Sequence, residues 1–273
     1  MSALGIRTIL AATDLTETML PALQTGVRLA RLTDARLHIV HTTERAIPES
    51  LLDEHMQAAG IRGDEGIEGR ILVGPPGALI TQEAARLTAD VILLGPHRPH
   101  HTRLGSTAYR VVYGAQIPCL MLPVPLSLPL RNVLVPLDIS ETARGALAVA
   151  ITWTSALRQR GAEANTTCLT ALHVAAEDDD GLDGIVEKEV EQVRRPFGSA
   201  IGVKIDCVVE AGTPAAIILR HAQQDAADMI VMATRGREPQ KAALGSVSHE
   251  VVINADRPVL LVPPGAWRAG AEG

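Results

Sequence analysis

Residues 233–252 (ATRGREPQKAALGSVSHEVV) concentrate the groups that hold a phosphate. Gly236 and Gly245 carry no Cβ, so the backbone there can approach a ligand closely. Ser246 and Ser248 add hydroxyls, and Arg235, Arg237 and Lys241 add positive charge. The apolar run 229–232 ahead of this stretch reads as a buried strand. The spacing of Val247, Val251 and Val252 predicts a helix opening at Gly245-Ser246-Val247-Ser248. A strand, a glycine-bearing loop and a helix start suit an anion, because the first N–H groups of a helix are unpaired and its dipole favours negative charge. A structural reading competes with this one: an ordinary loop whose following helix is capped by Ser246.

Other polar clusters offer less. His97, His100 and His101, with Arg103, form the densest one. Imidazoles suit zinc, copper or nickel, but no carboxylate or thiolate lies close in sequence and Pro99 constrains the loop. The cluster reads as a solvated basic loop able to contact an anion. Residues 177–180 (EDDD) lack the alternating spacing of a calcium loop and read as solvated. His173 belongs to a strand and reads as a hydrogen-bonded core residue. Cys119, Cys168 and Cys207 sit in apolar runs with no zinc or redox spacing, so they read as small buried hydrophobes in a reducing compartment. No nucleophile elbow, Walker loop or dinucleotide fingerprint occurs. Asp14 and Asp138 are single carboxylates, each read as capping a loop or holding a ribose or adenine edge. Nothing here names a chemical step or a metal triad, and the expectation is a protein that is not an enzyme.

The elements that must position these residues come in two passes. Apolar runs at 7–13, 37–41, 69–73, 90–95 and 117–124 predict five strands, with helices opening near 16, 78 and 105 and at most a short helix within 44–66. Runs at 132–137, 168–174, 203–210, 228–233 and 258–263 repeat the pattern, with helices from Ser140, over 182–197, and from Gly212-Thr213-Pro214. Gly74-Pro75-Pro76 falls on Gly212-Thr213-Pro214, and Asp90 on Asp228, at an offset of 138. Gly105-Ser106 falls on Gly245-Ser246 at 140, and Asp14 on Asp138 at 124. One register places every landmark, so the chain is a duplication. The proline-rich stretch 123–129 marks the boundary, giving domains 1–126 and 127–273. Each half reads as a doubly wound five-stranded α/β sheet. Ligands bind such sheets beyond the carboxyl ends of the strands, where strand order reverses. Asp138, Thr213 and the loop 233–248 lie at that edge in the second half; Asp14, Pro75 and the loop 95–106 lie there in the first.

Composition agrees. Of 273 residues 47% are hydrophobic, yet only Trp153, Trp267, Tyr109, Tyr113 and Phe197 are aromatic. Such an aliphatic core suits parallel strands covered on both faces. A net charge of −6 and the shortage of stacking aromatics argue against a nucleic-acid partner. No run is long enough to span a membrane, and the N-terminus has no leader pattern, so the expected location is soluble and cytoplasmic.

The landmarks together resemble the universal stress protein family. They are a strand ending in Asp138 before Ser140-Glu141 (VPLDISE), a strand ending in His173-Val174, the Gly-x-Pro helix start at 212–214, the loop into Gly245-Ser246-Val247-Ser248, and the closing strand RPVLLVPP. The likeness runs through nearly the whole chain twice, as in a tandem, two-domain member. It implies the adenine nucleotide alpha hydrolase-like fold with strand order 3-2-1-4-5. It also implies two halves packed through their last strands as an intramolecular pseudo-dimer, with a homodimer of the chain as a further option. The nucleotide-binding branch of the family carries G-x-x-G, nine residues, then G-[S/T]. Here Ala233 stands for the first glycine, Gly236 for the second, and eight residues precede Gly245-Ser246. The resemblance implies Pro136, Asp138 and Val174 around adenosine, and Met232, Ala233, Gly236, Gly245, Ser246, Val247 and Ser248 around the phosphates. In the first half Gly95 is kept, Arg98 replaces the second glycine, and six residues precede Gly105-Ser106. That half is expected to be structural. The implied function is a stress-response or signalling module binding ATP or another adenine nucleotide in its C-terminal half without turnover, with an unknown protein partner. The alternative is a non-nucleotide-binding interaction scaffold of the same fold.

Overall fold

The computed structural model describes residues 5–63, 66–95, 104–158, 167–176, 181–198, 202–235 and 244–266, and along them aliphatic strands alternate with helices. The chain divides into two units, Met1–Leu126 and Ser127–Gly273. Unit 1 runs β1 (Thr8–Thr13), α1 (Leu20–Thr33), β2 (Arg36–Thr43), α2 (Ser50–Ala58), β3 (Ile67–Val73), α3 (Pro76–Arg86), β4 (Val91–Leu94), α4 (Ser106–Gly114) and β5 (Cys119–Met121). Unit 2 runs β6 (Asn132–Leu137), α5 (Glu141–Leu157), β7 (Thr167–Ala175), α6 (Leu182–Arg194), β8 (Val203–Ala211), α7 (Pro214–Gln224), β9 (Met229–Ala233), α8 (Ser246–Asn254) and β10 (Val259–Val262). The strand order is β3-β2-β1-β4-β5 in unit 1 and β8-β7-β6-β9-β10 in unit 2, with parallel pairing throughout each. Both are the expected 3-2-1-4-5.

The central strands are buried along their length: Ile9, Leu10 and Ala11, then Val91, Ile92 and Leu93, and in unit 2 Val133, Leu134 and Val135 with Met229, Ile230 and Val231. A parallel strand loses water from both faces to its crossover helices, so it must be apolar at every position rather than at alternate ones. α5 buries one broad face, with Ala146 to Ile151, Trp153 and Leu157 inside, while Arg144 stays exposed. Its start is fixed by Ser140, whose hydroxyl accepts from the Ala143 N–H at 3.2 Å.

Two devices recur in both units. Asp90 Oδ2 accepts from the N–H groups of Arg7 (2.7 Å) and Thr8 (2.9 Å), and Asp228 Oδ2 accepts from Arg131 (2.7 Å) and Asn132 (3.0 Å). Each pins the amino end of the innermost strand to its neighbour. Gly74 and Gly212, at φ 142° and 146°, turn the chain out of a strand and into α3 and α7, a backbone that only glycine adopts without strain.

Boundaries differ from the sequence reading where proline intervenes. The run 117–124 yields a strand only at Cys119–Met121, because Pro118 and Pro123 have no N–H for a ladder. The segment 182–197 is helical to Arg194 and then tightens into a 3₁₀ turn, Arg195–Phe197, around Pro196. The clusters at His97, His100, His101 and Arg103, and at 177–180, lie outside the described residues. No described helix is long and apolar enough to cross a membrane.

Candidate functional site

At the carboxyl edge of unit 2, β6 ends in a strained turn. Asp138 Oδ1 accepts from the Ser140 N–H at 3.2 Å and from the Ser140 hydroxyl. These bonds hold Ile139 at φ 60°, a left-handed backbone that is costly for a β-branched residue. Ser140 Oγ meets Thr142 Oγ1 at 2.9 Å, and Thr142 Oγ1 donates to Arg235 O at 2.8 Å. A side-chain relay therefore ties the turn after β6 to the end of β9.

Those two strands part company before they end. Asn132 O accepts from Asp228 N, so by strand alternation Leu134 and Pro136 also turn their backbone groups toward β9. Pro136 has no N–H to give. Pairing of β6 with β9 stops at Leu134↔Ile230, while pairing with β7 continues to Leu137↔His173. The sheet is thus split at its switch point, on the side where ligands enter such folds.

α8 borders the split. Its N-cap is Gly245, with no side-chain cap. The competing reading, a helix capped by Ser246, is not what forms: Ser246 is the first helical residue. Gly245 N–H is already spent on Thr234 O at 2.8 Å, and the first helical bond runs from His249 N to Gly245 O. The N–H groups of Ser246, Val247 and Ser248 precede that bond and have no recorded partner among the described residues. Ser248 Oγ donates to Ala233 O at 2.9 Å, satisfying a carbonyl that faces the parted strand. Ala233 keeps strand conformation, so an alanine is accommodated at that position without a left-handed backbone.

Between these parts lies a cavity of about 230 Å³. Pro136, Asp138, Val174, Met232, Ala233, Gly245, Ser246, Val247 and Ser248 all line it; Gly236 lies outside the described residues. Leu137, Ala143, Leu172, Pro214, Ile218 and Arg235 line it too. Sequence reasoning put Arg235 and the 212–214 turn at this edge but missed the apolar floor, since small aliphatic residues carry no chemical signal. His173 is buried, with Nδ1 at 2.7 Å from Leu137 O, and it braces β7 as a core residue. Burial pushes the Cys119 thiol up to about 12 and raises Cys168 and Cys207, so none is a thiolate nucleophile at neutral pH. No group of three metal-binding side chains occurs among the described residues.

Among the described residues the arrangement offers an apolar slot, one carboxylate, one guanidinium and the backbone donors of a helix start. Solved structures share the fold. A universal stress protein from Archaeoglobus fulgidus DSM 4304 superposes with a TM-score of 0.70 at 22% identity, over 94% of this chain and 98% of that one. A putative universal stress protein from Pseudomonas aeruginosa UCBPP-PA14 gives 0.66 at 19% identity, over 94% and 93%. In sequence, 62 residues are 44% identical to a universal stress protein of Methanocaldococcus jannaschii, a match over 22% of this chain and 36% of that relative's length. The pattern of the Universal stress protein family matches residues 5–123 and again 129–263. Two matches in tandem, over two units of one strand order, make this chain a member of the universal stress protein family.

Proposed function

We propose that unit 2 binds one adenine nucleotide, ATP or a close analogue, in the cavity between β6 and β9, and that the chain acts as a cytoplasmic stress-response or signalling module rather than an enzyme. The observation that carries this is the set of N–H groups at Ser246, Val247 and Ser248, without a partner among the described residues, on the wall of a cavity that also holds Asp138. Anions are stabilised at such a helix start. The apolar slot suits a purine, with Pro136 and Val174 against its faces. Its volume, below the roughly 300–1,000 Å³ of sites for drug-sized ligands, suits the nucleoside, with the phosphates at the mouth. Asp138 is the acceptor for a ribose hydroxyl or the adenine amino group. No turnover is proposed because Asp138 is the only carboxylate on the described lining, and its Oδ1 is already engaged by Ser140.

Calorimetric titration of the purified chain with ATP tests both parts. Saturable binding with no phosphate release is expected. Absence of binding at millimolar ATP favours the interaction scaffold, and steady hydrolysis that disappears in Asp138→Ala contradicts the assignment as a non-enzyme.

A further inference from the structure

Unit 1 has the same turn and the same helix start as unit 2. Asp14 Oδ1 accepts from Thr16 N at 3.0 Å and from Thr16 Oγ1 at 2.6 Å, and Leu15 sits at φ 63°. Gly105 caps α4 with φ −56° and ψ 147°, against −64° and 157° at Gly245, and neither helix has a side-chain cap. What differs is the floor. In the register set by Asp14 and Asp138, Ala143 falls on Met19, and in the register set by Asp90 and Asp228, Ala233 falls on Gly95. Met19 is buried. Its Sδ and Cε occupy the space a Cβ on Gly95 would take. Its side chain therefore spans from the position of Ala143 to that of Ala233, across the ground that is open cavity in unit 2.

A second observation agrees. Ala12 stands where unit 2 has Pro136, and β1 stays paired with β4 through Ala12↔Leu94, two residues further than β6 with β9. A third lies in the flanking helices. A Cβ on Gly77 would overlap Arg110 of α4, so α4 lies closer on α3 than α8 lies on α7, where Ala215 already carries a methyl at the equivalent place.

We infer that unit 1 holds a second, self-occluded copy of the site, plugged by the Met19 side chain, and that the pairs Met19–Gly95 and Ala143–Ala233 set each unit closed or open to a purine nucleoside. The ligand class rests on the proposed function above; the plug does not. Gly95 is a glycine because Met19 needs its space, and Ala233 can carry a methyl because Ala143 does not.

The test has two arms. The first needs no ligand. Gly95→Ala is expected to lower the melting temperature by about 5 °C through overpacking, and Met19→Ala in the same chain to recover most of that loss. Additive losses in the double variant overturn the pairing. The second arm counts bound ATP by native mass spectrometry. Met19→Ala raises the count from one to two per chain, and Ala143→Met with Ala233→Gly lowers it to zero while the fold is kept. A count that stays at one in both variants overturns the plug. If the parent chain binds no ATP, the proposed function fails, and the melting cycle alone decides for or against the plug.

Discussion

The two carboxyl edges of this chain share three polar features and differ in the space those features enclose. Each has an aspartate turn with a left-handed residue, a Gly-Pro helix entry and a Gly-Ser helix start. In unit 2 a proline ends the strand pairing early and an alanine leaves the floor clear. In unit 1 an alanine lets the pairing continue and a methionine lies across the floor. On the proposed reading, the Gly-Ser pair sets the donors, while residues without any binding chemistry set whether a ligand reaches them. The first-half loop, with Arg98 at the second glycine position, lies outside the described residues. The closure argued from Met19 is independent of it.

The comparison breaks most visibly at the helix starts. Gly245→Gln places a long side chain over the N–H groups of Ser246–Ser248 and is expected to weaken ATP binding by about 100-fold or more, two contacts at roughly 1.5 kcal/mol each. Gly105 has open space around its Cβ position, so Gly105→Gln leaves both affinity and melting temperature unchanged. Calorimetry on the two variants reads the contrast. Equal losses from both would put ligand in both units.

At the opposite edge the units should behave alike. Asp90→Ala and Asp228→Ala each leave two backbone N–H groups without their charged acceptor, at a cost of about 2 kcal/mol in either unit. Urea unfolding of the two variants checks this. A large effect from one and none from the other would show that the repeated landmark does not do the same work twice.

A third difference is electrostatic. Glu83 of α3 is buried, and Arg70 and Arg86 bond its carboxylate at 2.7 and 2.8 Å. The hydrogen bond from Arg86, against the opposing effect of burial, holds its pKa below the ordinary 4.5. A depressed carboxylate pKa stabilises the fold above the unfolded value, and the contribution disappears as pH falls below 4.5 through the folded value. At the equivalent place in unit 2 stands His221, bonded to Glu210 at 2.8 Å and Asp225 at 3.2 Å. Glu83→Gln should therefore cost about 1–2 kcal/mol at pH 7 and little at pH 3. Denaturant curves at the two pH values test it, and an equal cost at both would refute the ion pair as the cause.

The smallest effect concerns the end of β9. Ser248→Ala removes the bond to Ala233 O and is expected to cost about 1 kcal/mol. Ala108, its counterpart, has no such bond, so Ala108→Ser gains nothing measurable by thermal melting. A gain comparable to the Ser248 loss would mean that unit 1 also leaves that carbonyl unpaired.

Much of this was legible in the residues. Strands buried on both faces must be aliphatic throughout, so β1, β4, β6 and β9 stood out as unbroken runs. Asp90 and Asp228 repeated at a fixed offset because each pins a strand start. The end of β5 was not legible, since the apolar run outlasts the pairing that Pro118 and Pro123 allow. At the site, Asp138, Pro136 and the 245–248 segment announced themselves by type and spacing. Ala143 did not, because an alanine signals nothing until it is set against Met19. Serine favours a cap position, which is why a capped helix competes with the anion site as a reading of Gly245-Ser246; the glycine takes the position instead, with no side-chain cap.

The central claim is that the chain has one open site and one closed one. A crystal of the unmodified protein grown with saturating ATP tests it directly. The account predicts a single nucleotide in unit 2, its base between Pro136 and Val174 and its phosphates at the N–H groups of Ser246, Val247 and Ser248, with Met19 still lying over Gly95 in unit 1. A nucleotide seated over Gly105 and Ser106, or one in each unit, would contradict it.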